Sequence, residues 1–176
     1  MTSEGIRLFR GITPGAIGLD VHGGYGETWA HDFASAEGYA RPPHGYVLEA
    51  VLSPDAQRLV LVTVDEEGFS DYKEEGIQEL AQVVGDPMLC DHFLSWGGLL
   101  WDNWEPEWTE AIKAAGYDSI FTGGFDGLEE YVLNASALQL VHYYRAQDDG
   151  QTKAYTIEQG TLEGLGYVPE LITAVE

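Results

Sequence analysis

The chain is poor in cysteine, in positive charge and in long apolar runs. Cys90 is the single cysteine of 176 residues, which excludes an intramolecular disulfide framework and any cysteine-rich zinc site. No run approaches the roughly 18 apolar residues that a bilayer span needs. Met1-Thr2-Ser3-Glu4-Gly5 lacks the basic-then-apolar pattern of a secretory leader. The expectation is a soluble, cytoplasmic protein. Lys and Arg together number 8, against 30 Asp and Glu, for a net charge of -22. Small soluble domains usually carry a net charge of about 2 to 8 in magnitude. A field of this sign repels nucleic-acid phosphates and anionic membranes, which are gripped by clustered Lys and Arg. It attracts a basic protein surface, and it also serves solubility. Neither nucleic acid nor membrane is therefore expected as a partner, and each scarce cation gains interest.

Chemical signatures are also missing. The sequence has no Walker loop, no G-x-G-x-x-G after a strand, no His-Glu-x-x-His and no G-x-S-x-G. The five histidines (22, 31, 44, 92 and 142) lack metal-ligand spacing, so no metal is expected. Asp91 and His92, which follow Cys90, read as structural, and Cys90 is not expected to serve as a nucleophile.

What is present is ample material for a core, with 44% hydrophobic and 12% aromatic residues. The length suits one compact domain, read as 1–145, with 146–176 as a C-terminal extension packed on it. Residues 6–10 read as a strand stopped by Gly11, and a glycine-rich loop occupies 21–27. A helix is expected over 33–40, capped by Asp32 or His31 and ended by Pro42-Pro43. Strands follow at 46–52 and 58–64. Helices are expected over 71–84, 87–100 and 107–115, the last opened by Pro106 and stopped by Gly116. Strand character resumes at 117–121, 131–133 and 138–144, and the tail beyond Arg145 has room for one short strand and one short helix. Trp101, Trp104 and Trp108 lie at near-helical spacing, as core packing or as a docking surface. Strands, then helices, then strands make an α+β pattern with a mostly antiparallel sheet, not the alternation of a doubly wound fold.

Three separated pieces form an ordered set. Leu8-Phe9-Arg10-Gly11 comes first. Gly26-Glu27-Thr28-Trp29-Ala30-His31-Asp32 leads into Ala36-Glu37-Gly38-Tyr39-Ala40. Gly116-Tyr117-Asp118-Ser119-Ile120, followed by Gly127-Leu128-Glu129-Glu130-Tyr131-Val132-Leu133-Asn134, comes last. In order and spacing they resemble the ADP-ribosyltransferase family, in its Arg–Ser–Glu branch of bacterial-toxin and phage-encoded mono-ADP-ribosyltransferases. The resemblance covers residues 6 to 142. It implies a split, mostly antiparallel sheet with helices inserted between the N- and C-terminal strands. It also implies NAD as substrate, nicotinamide release, and transfer of ADP-ribose to a macromolecular acceptor, in the first instance a protein. A toxin of this kind would have a neutralising antitoxin.

Carried over residue by residue, the resemblance makes Glu130 the catalytic carboxylate, at a strand start and facing a cleft. There it would stabilise the oxocarbenium-like ribose and bond its 2′-hydroxyl, as in glycoside cleavage. Strand alternation allows only one of Glu129 and Glu130 to face that cleft. Arg10 would hold phosphate or ribose oxygens, beside a glycine, Gly11, that lets the ligand approach. Thr28, Trp29 and His31 would brace the glutamate and line the nicotinamide pocket. The expected Ser-Thr-Ser run is replaced here, so Thr28 or His31 supplies the polar group and Trp29 doubles as core. Tyr39 would stack on nicotinamide or fill the core. Leu128 stands where arginine-modifying members carry Glu or Gln, which points away from an arginine acceptor. Two readings compete: an acidic, DNA-mimic-like inhibitor of a basic target protein, and a catalytically silent domain that binds NAD or a related nucleotide.

Overall fold

The computed structural model describes residues 4–13, 27–91, 104–124 and 127–158. Its architecture is α+β, with one mixed, mostly antiparallel eight-stranded sheet and few helices. In chain order the elements are β1 (Ile6–Ile12), β2 (Glu27–Ala30), α1 (Phe33–Glu37), β3 (Tyr46–Leu52), β4 (Arg58–Val60), β5 (Val62–Val64), β6 (Ser70–Tyr72), α2 (Glu74–Val84), α3 (Pro106–Ala114), β7 (Ser119–Gly124), β8 (Gly127–Val132), β9 (Leu138–Ala146) and β10 (Thr152–Thr156). The sheet order is β10-β9-β3-β1-β2-β8-β7-β4, and the β4–β7 pair is parallel.

The middle of this sheet is its weakest seam. β1 and β3 run in register over seven pairs, from Ile6–Leu52 to Ile12–Tyr46. β1 meets β2 through one registered pair, Phe9–Ala30. Four strands lie on each side of that contact.

Each face of the sheet has a core of its own. Leu59, Ile120, Tyr131 and Leu133 pack under α2 and α3 with Ile77, Leu80, Trp104, Trp108 and Ile112. Trp104 and Trp108 meet edge to face at 5.1 Å, and the Trp104 indole N–H donates to Thr109 Oγ1 at 3.2 Å. These two tryptophans are core, while Trp96 and Trp101 lie outside the described residues. The second cluster draws on Leu8, Leu48, Ala50, Leu52, Trp29 and Val132, on the opposite face of the sheet.

Several local expectations change. β1 does not stop at Gly11: it continues to Ile12, and Gly11 pairs with Val47. The 58–64 run is two strands in two sheets. Leu61 breaks it because its N–H donates to the Phe121 carbonyl at 2.9 Å while its own carbonyl accepts from Lys73 N at 2.9 Å. β5 then pairs with β6, a strand of Ser, Asp and Tyr with no apolar alternation to betray it. α2 consequently starts at Glu74 instead of Asp71 and ends in a left-handed Gly85 (φ 75°). Its Gly76 touches β4 so closely that a Cβ there would stand 1.8 Å from the Val60 carbonyl oxygen. α1 is short, capped by Asp32, whose Oδ1 accepts from Ser35 N at 2.8 Å and Oδ2 from Ser35 Oγ at 2.7 Å. Of the helix expected over 87–100, residues 92–100 lie outside the described residues, as do 21–26 of the glycine-rich loop. The start of the C-terminal segment is part of the sheet, since β10 pairs with β9 from Thr152–Ala146 to Thr156–His142.

Candidate functional site

Strand alternation and register decide which of the singled-out side chains can meet. Trp29 on β2 pairs with Glu130 on β8, which pairs with Phe121 on β7, so these three share one face. Extending the Phe9–Ala30 pair by one residue sets Arg10 opposite Trp29, on that same face. Arg10 and Glu130 therefore flank a buried tryptophan, two strand spacings or roughly 10 Å apart. Glu130 is the fourth residue of β8, not its first, so it sits in the sheet and not at the strand's mouth.

Glu130 is completely buried. A carboxylate there is sustained only by strong partners, and it has two. Arg58, on edge strand β4, donates to Glu130 Oε1 from Nε at 2.9 Å and also from Nη2. His31, one residue past β2, brings Nε2 to 3.3 Å from the same oxygen. Phe121 floors both partners, with the Arg58 guanidinium 4.8 Å and the His31 ring 4.9 Å from its centroid. Burial pushes the Glu130 carboxyl up, but His31, Arg58 and the Ser119 hydroxyl outweigh it and hold the group below the ordinary carboxylate range. Oε2, the other oxygen, makes no hydrogen bond of good geometry. Arg58 and His31 are part-exposed, with 24% and 18% of their side chains open to solvent. They form the boundary between Glu130 and water.

Arg10 is 7% exposed. Its Nη1 donates to the Thr28 carbonyl at 2.7 Å, which ties β1 to β2 at the seam where ladder bonds are few. Its Nε has no acceptor, and among the described residues no carboxylate pairs with it.

The remaining residues go to the other face. Thr28 pairs with Tyr131, in the core under α2 and α3, so its hydroxyl is turned away from Glu130. Glu129 is on that side too, accepting from Tyr131 Oη at 2.8 Å. Tyr39 follows α1 and lines an open pocket of about 450 Å³ with Ala34, Ser35 and Gly38. Gly11 has a different neighbour from the one expected. A Cβ there would lie 1.8 Å from the Ala36 carbonyl oxygen and 2.9 Å from Tyr39 Cβ, so the space is taken by α1 and not by a ligand. Gly11→Ala should accordingly cost about 1–3 kcal/mol as an overpacked contact. That is a drop of about 2–12 °C in thermal melting for a chain of this size. An unchanged melting temperature would return Gly11 to a ligand-facing role.

Of the residues singled out from the sequence, the register puts Arg10, Trp29, His31 and Glu130 on one face; Arg58 was missed, and Ser119 stood in the quoted motif without a role. The signal for Arg58 was its rarity: it is one of eight cations and opens a β-branched strand. Among the described residues no three His, Cys, Asp or Glu side chains converge as a metal site, and no helix is long and apolar enough to cross a membrane. No family model, curated protein or solved structure matches the chain.

Proposed function

We propose that the chain is an NAD-dependent mono-ADP-ribosyltransferase of the Arg–Ser–Glu kind. The observation that carries this reading is the shared face of Arg10 and Glu130, on either side of Trp29, at the seam between two four-stranded halves of the sheet. Such chemistry needs an arginine and an ionised glutamate on a common face; here Trp29 fills the space between them, and Glu130 is buried instead of facing the cleft expected from the sequence. In the reaction the nicotinamide–ribose C–N bond breaks and its electron pair leaves with nicotinamide. The acceptor's nucleophilic atom then bonds the anomeric carbon and releases its proton to solvent. Positive charge on the ribose peaks in between, and a nearby carboxylate held ionised stabilises it. Oε2 of Glu130 is buried and lacks a well-formed hydrogen bond, so a ribose hydroxyl would reach it only once the site opens. Leu128, on the same face two residues before Glu130, offers no second acid to activate a guanidinium acceptor.

The complete burial of Glu130 behind Arg58 favours a second reading, a domain of this design that holds a nucleotide without turning it over. The net charge of -22 favours a third, an acidic inhibitor of a basic protein. One experiment separates them. Incubation with NAD labelled in the adenylate half, with and without a cell lysate, should release nicotinamide and label a macromolecule. Calorimetric NAD binding with no release would select the silent domain. Salt-sensitive capture of a basic protein with no NAD binding would select the inhibitor.

A further inference from the structure

Among the described residues, Val64, Phe69 and Met88 are the exposed large apolar side chains. Val64, 41% exposed, and Phe69, 69% exposed, both belong to the tip of the β5–β6 hairpin, whose last registered pair is Val64–Ser70. Single exposed apolar residues are ordinary on protein surfaces. This one is held in place. Asp65 Oδ1 accepts from the N–H groups of Glu67 and Phe69, each at 2.9 Å, and Asp65 N–H donates to the Phe69 carbonyl at 2.9 Å. Gly68 closes the turn in the left-handed region (φ 88°) and donates to the Asp65 carbonyl at 3.1 Å. The turn therefore presents the Phe69 ring to water from a fixed backbone, so little ordering remains to be done when a partner covers it.

The hairpin is fastened beside the Glu130 face. At its base Leu61 donates to the Phe121 carbonyl and accepts from Lys73 N, each at 2.9 Å. Further along, Ser70 Oγ stands 3.0 Å from where a Cβ on Gly123 would lie. Gly123 is two residues beyond Phe121 on β7, hence on the side of Glu130, and it pairs with Leu128. Ser70 thus faces the sheet, and its neighbour Phe69 points away from it.

The chain around Phe69 is strongly acidic. Asp65, Glu66, Glu67, Asp71, Glu74 and Glu75 stand against one cation, Lys73, which lies 3.8 Å from Glu75. Among the described residues no cation pairs with Asp65, Glu66, Glu67 or Asp71. Solubility accounts for the acids, but not for a phenylalanine fixed in their midst. An aromatic anchor flanked by charge of one sign is suited to a partner that offers an apolar pocket within a rim of the opposite sign.

We propose that the β5–β6 hairpin docks a basic protein, with Phe69 entering an apolar pocket of that protein and Glu66, Glu67 and Asp71 meeting its Lys and Arg side chains. Nucleic acid and anionic lipid are repelled by the same acids, and so is a second copy of this equally acidic chain. That the docked protein is the acceptor of ADP-ribose rests on the proposed transferase activity. The docking itself does not.

The test uses the full chain, immobilised, and the lysate proteins that a cation exchanger retains at neutral pH, with the unretained proteins as a second probe. Wild type is compared with Phe69→Ala, with the double variant Glu66→Gln, Glu67→Gln, and with Met88→Ala, which removes an exposed apolar side chain outside the hairpin. Melting curves should show all four folded. A basic protein bound by wild type, then purified and titrated, should bind Met88→Ala equally. Phe69→Ala should weaken it by about tenfold or more, the scale of an interface anchor. The double variant should weaken it too, with a shallower dependence on salt. Retention only from the unretained fraction, no retention by wild type, equal affinity in Phe69→Ala, or equal loss in Met88→Ala would each overturn the docking site. Nicotinamide release keeps the two proposals apart. Release and protein labelling both unchanged in Phe69→Ala remove the docking site and leave the transferase. Capture that depends on Phe69, by a protein that releases no nicotinamide, does the reverse.

Discussion

Arg58→Met should lower the melting temperature by about 6–12 °C, the consequence of leaving Glu130 charged and unmatched inside the sheet. Removing one partner of a buried ion pair typically costs about 3–5 kcal/mol. Each kcal/mol moves the transition of a chain of this size by about 2–4 °C. The lower end of that range is expected, because His31 stays within 3.3 Å and takes part of the load. Methionine keeps much of the aliphatic volume that Arg58 lays over Phe121, so the loss reports charge more than packing. The double variant Arg58→Met with Glu130→Leu should recover most of the loss, since a buried pair replaced as a whole is often neutral. A double variant as unstable as the single one would make the defect one of packing.

The same substitution should change the response to acid. The folded-state value of Glu130 is depressed, so its stabilisation is fully present above the ordinary carboxylate range and is lost as pH falls through the folded value. With Arg58 gone, desolvation remains and one of the opposing interactions disappears, so the folded value rises. Acid unfolding of Arg58→Met should therefore begin at higher pH than in wild type. Urea midpoints measured from neutral pH downward will show it, and parallel profiles would deny Arg58 any role in holding the charge.

How much of this could be read from the chain depends on whether the cause was local. Tyr46–Leu52 was legible because its aromatic, branched and apolar residues leave no other option for a seven-residue run, and α3 because Pro106 stands at its first turn. The break at Leu61 was not, since its N–H and carbonyl are claimed by Phe121 and Lys73, 60 and 12 residues away. The site divides in the same manner. An ordered set of motifs pointed to Arg10 and Glu130, but the parity of β2 follows from its register with β8. That register sends Trp29 to the side of Glu130 and Thr28 to the other. Gly11 was singled out as a place where a ligand comes close. What comes close is the last turn of α1, which nothing within β1 encodes.

Glu130→Gln should reduce nicotinamide release by about 10²–10³-fold, the usual effect of deleting one preorganised electrostatic group. The substitution preserves shape and removes the charge that a ribose cation requires. Its stability cost should be below that of Arg58→Met, because the orphan it leaves is Arg58, with 24% of its side chain open to water, instead of a sealed carboxylate. The ordering of the two variants therefore separates catalysis from folding: Glu130→Gln melts higher yet turns over less. Glu130→Asp sharpens the argument. It retains the charge and one methylene less of reach, and a displacement of about 1 Å can cost 10²-fold in rate. Slow turnover by a well-folded aspartate variant is the expected result. Turnover within a few fold of wild type in Glu130→Gln would mean that the buried acid is only the counter-ion of Arg58, and the transferase would lose its catalytic group.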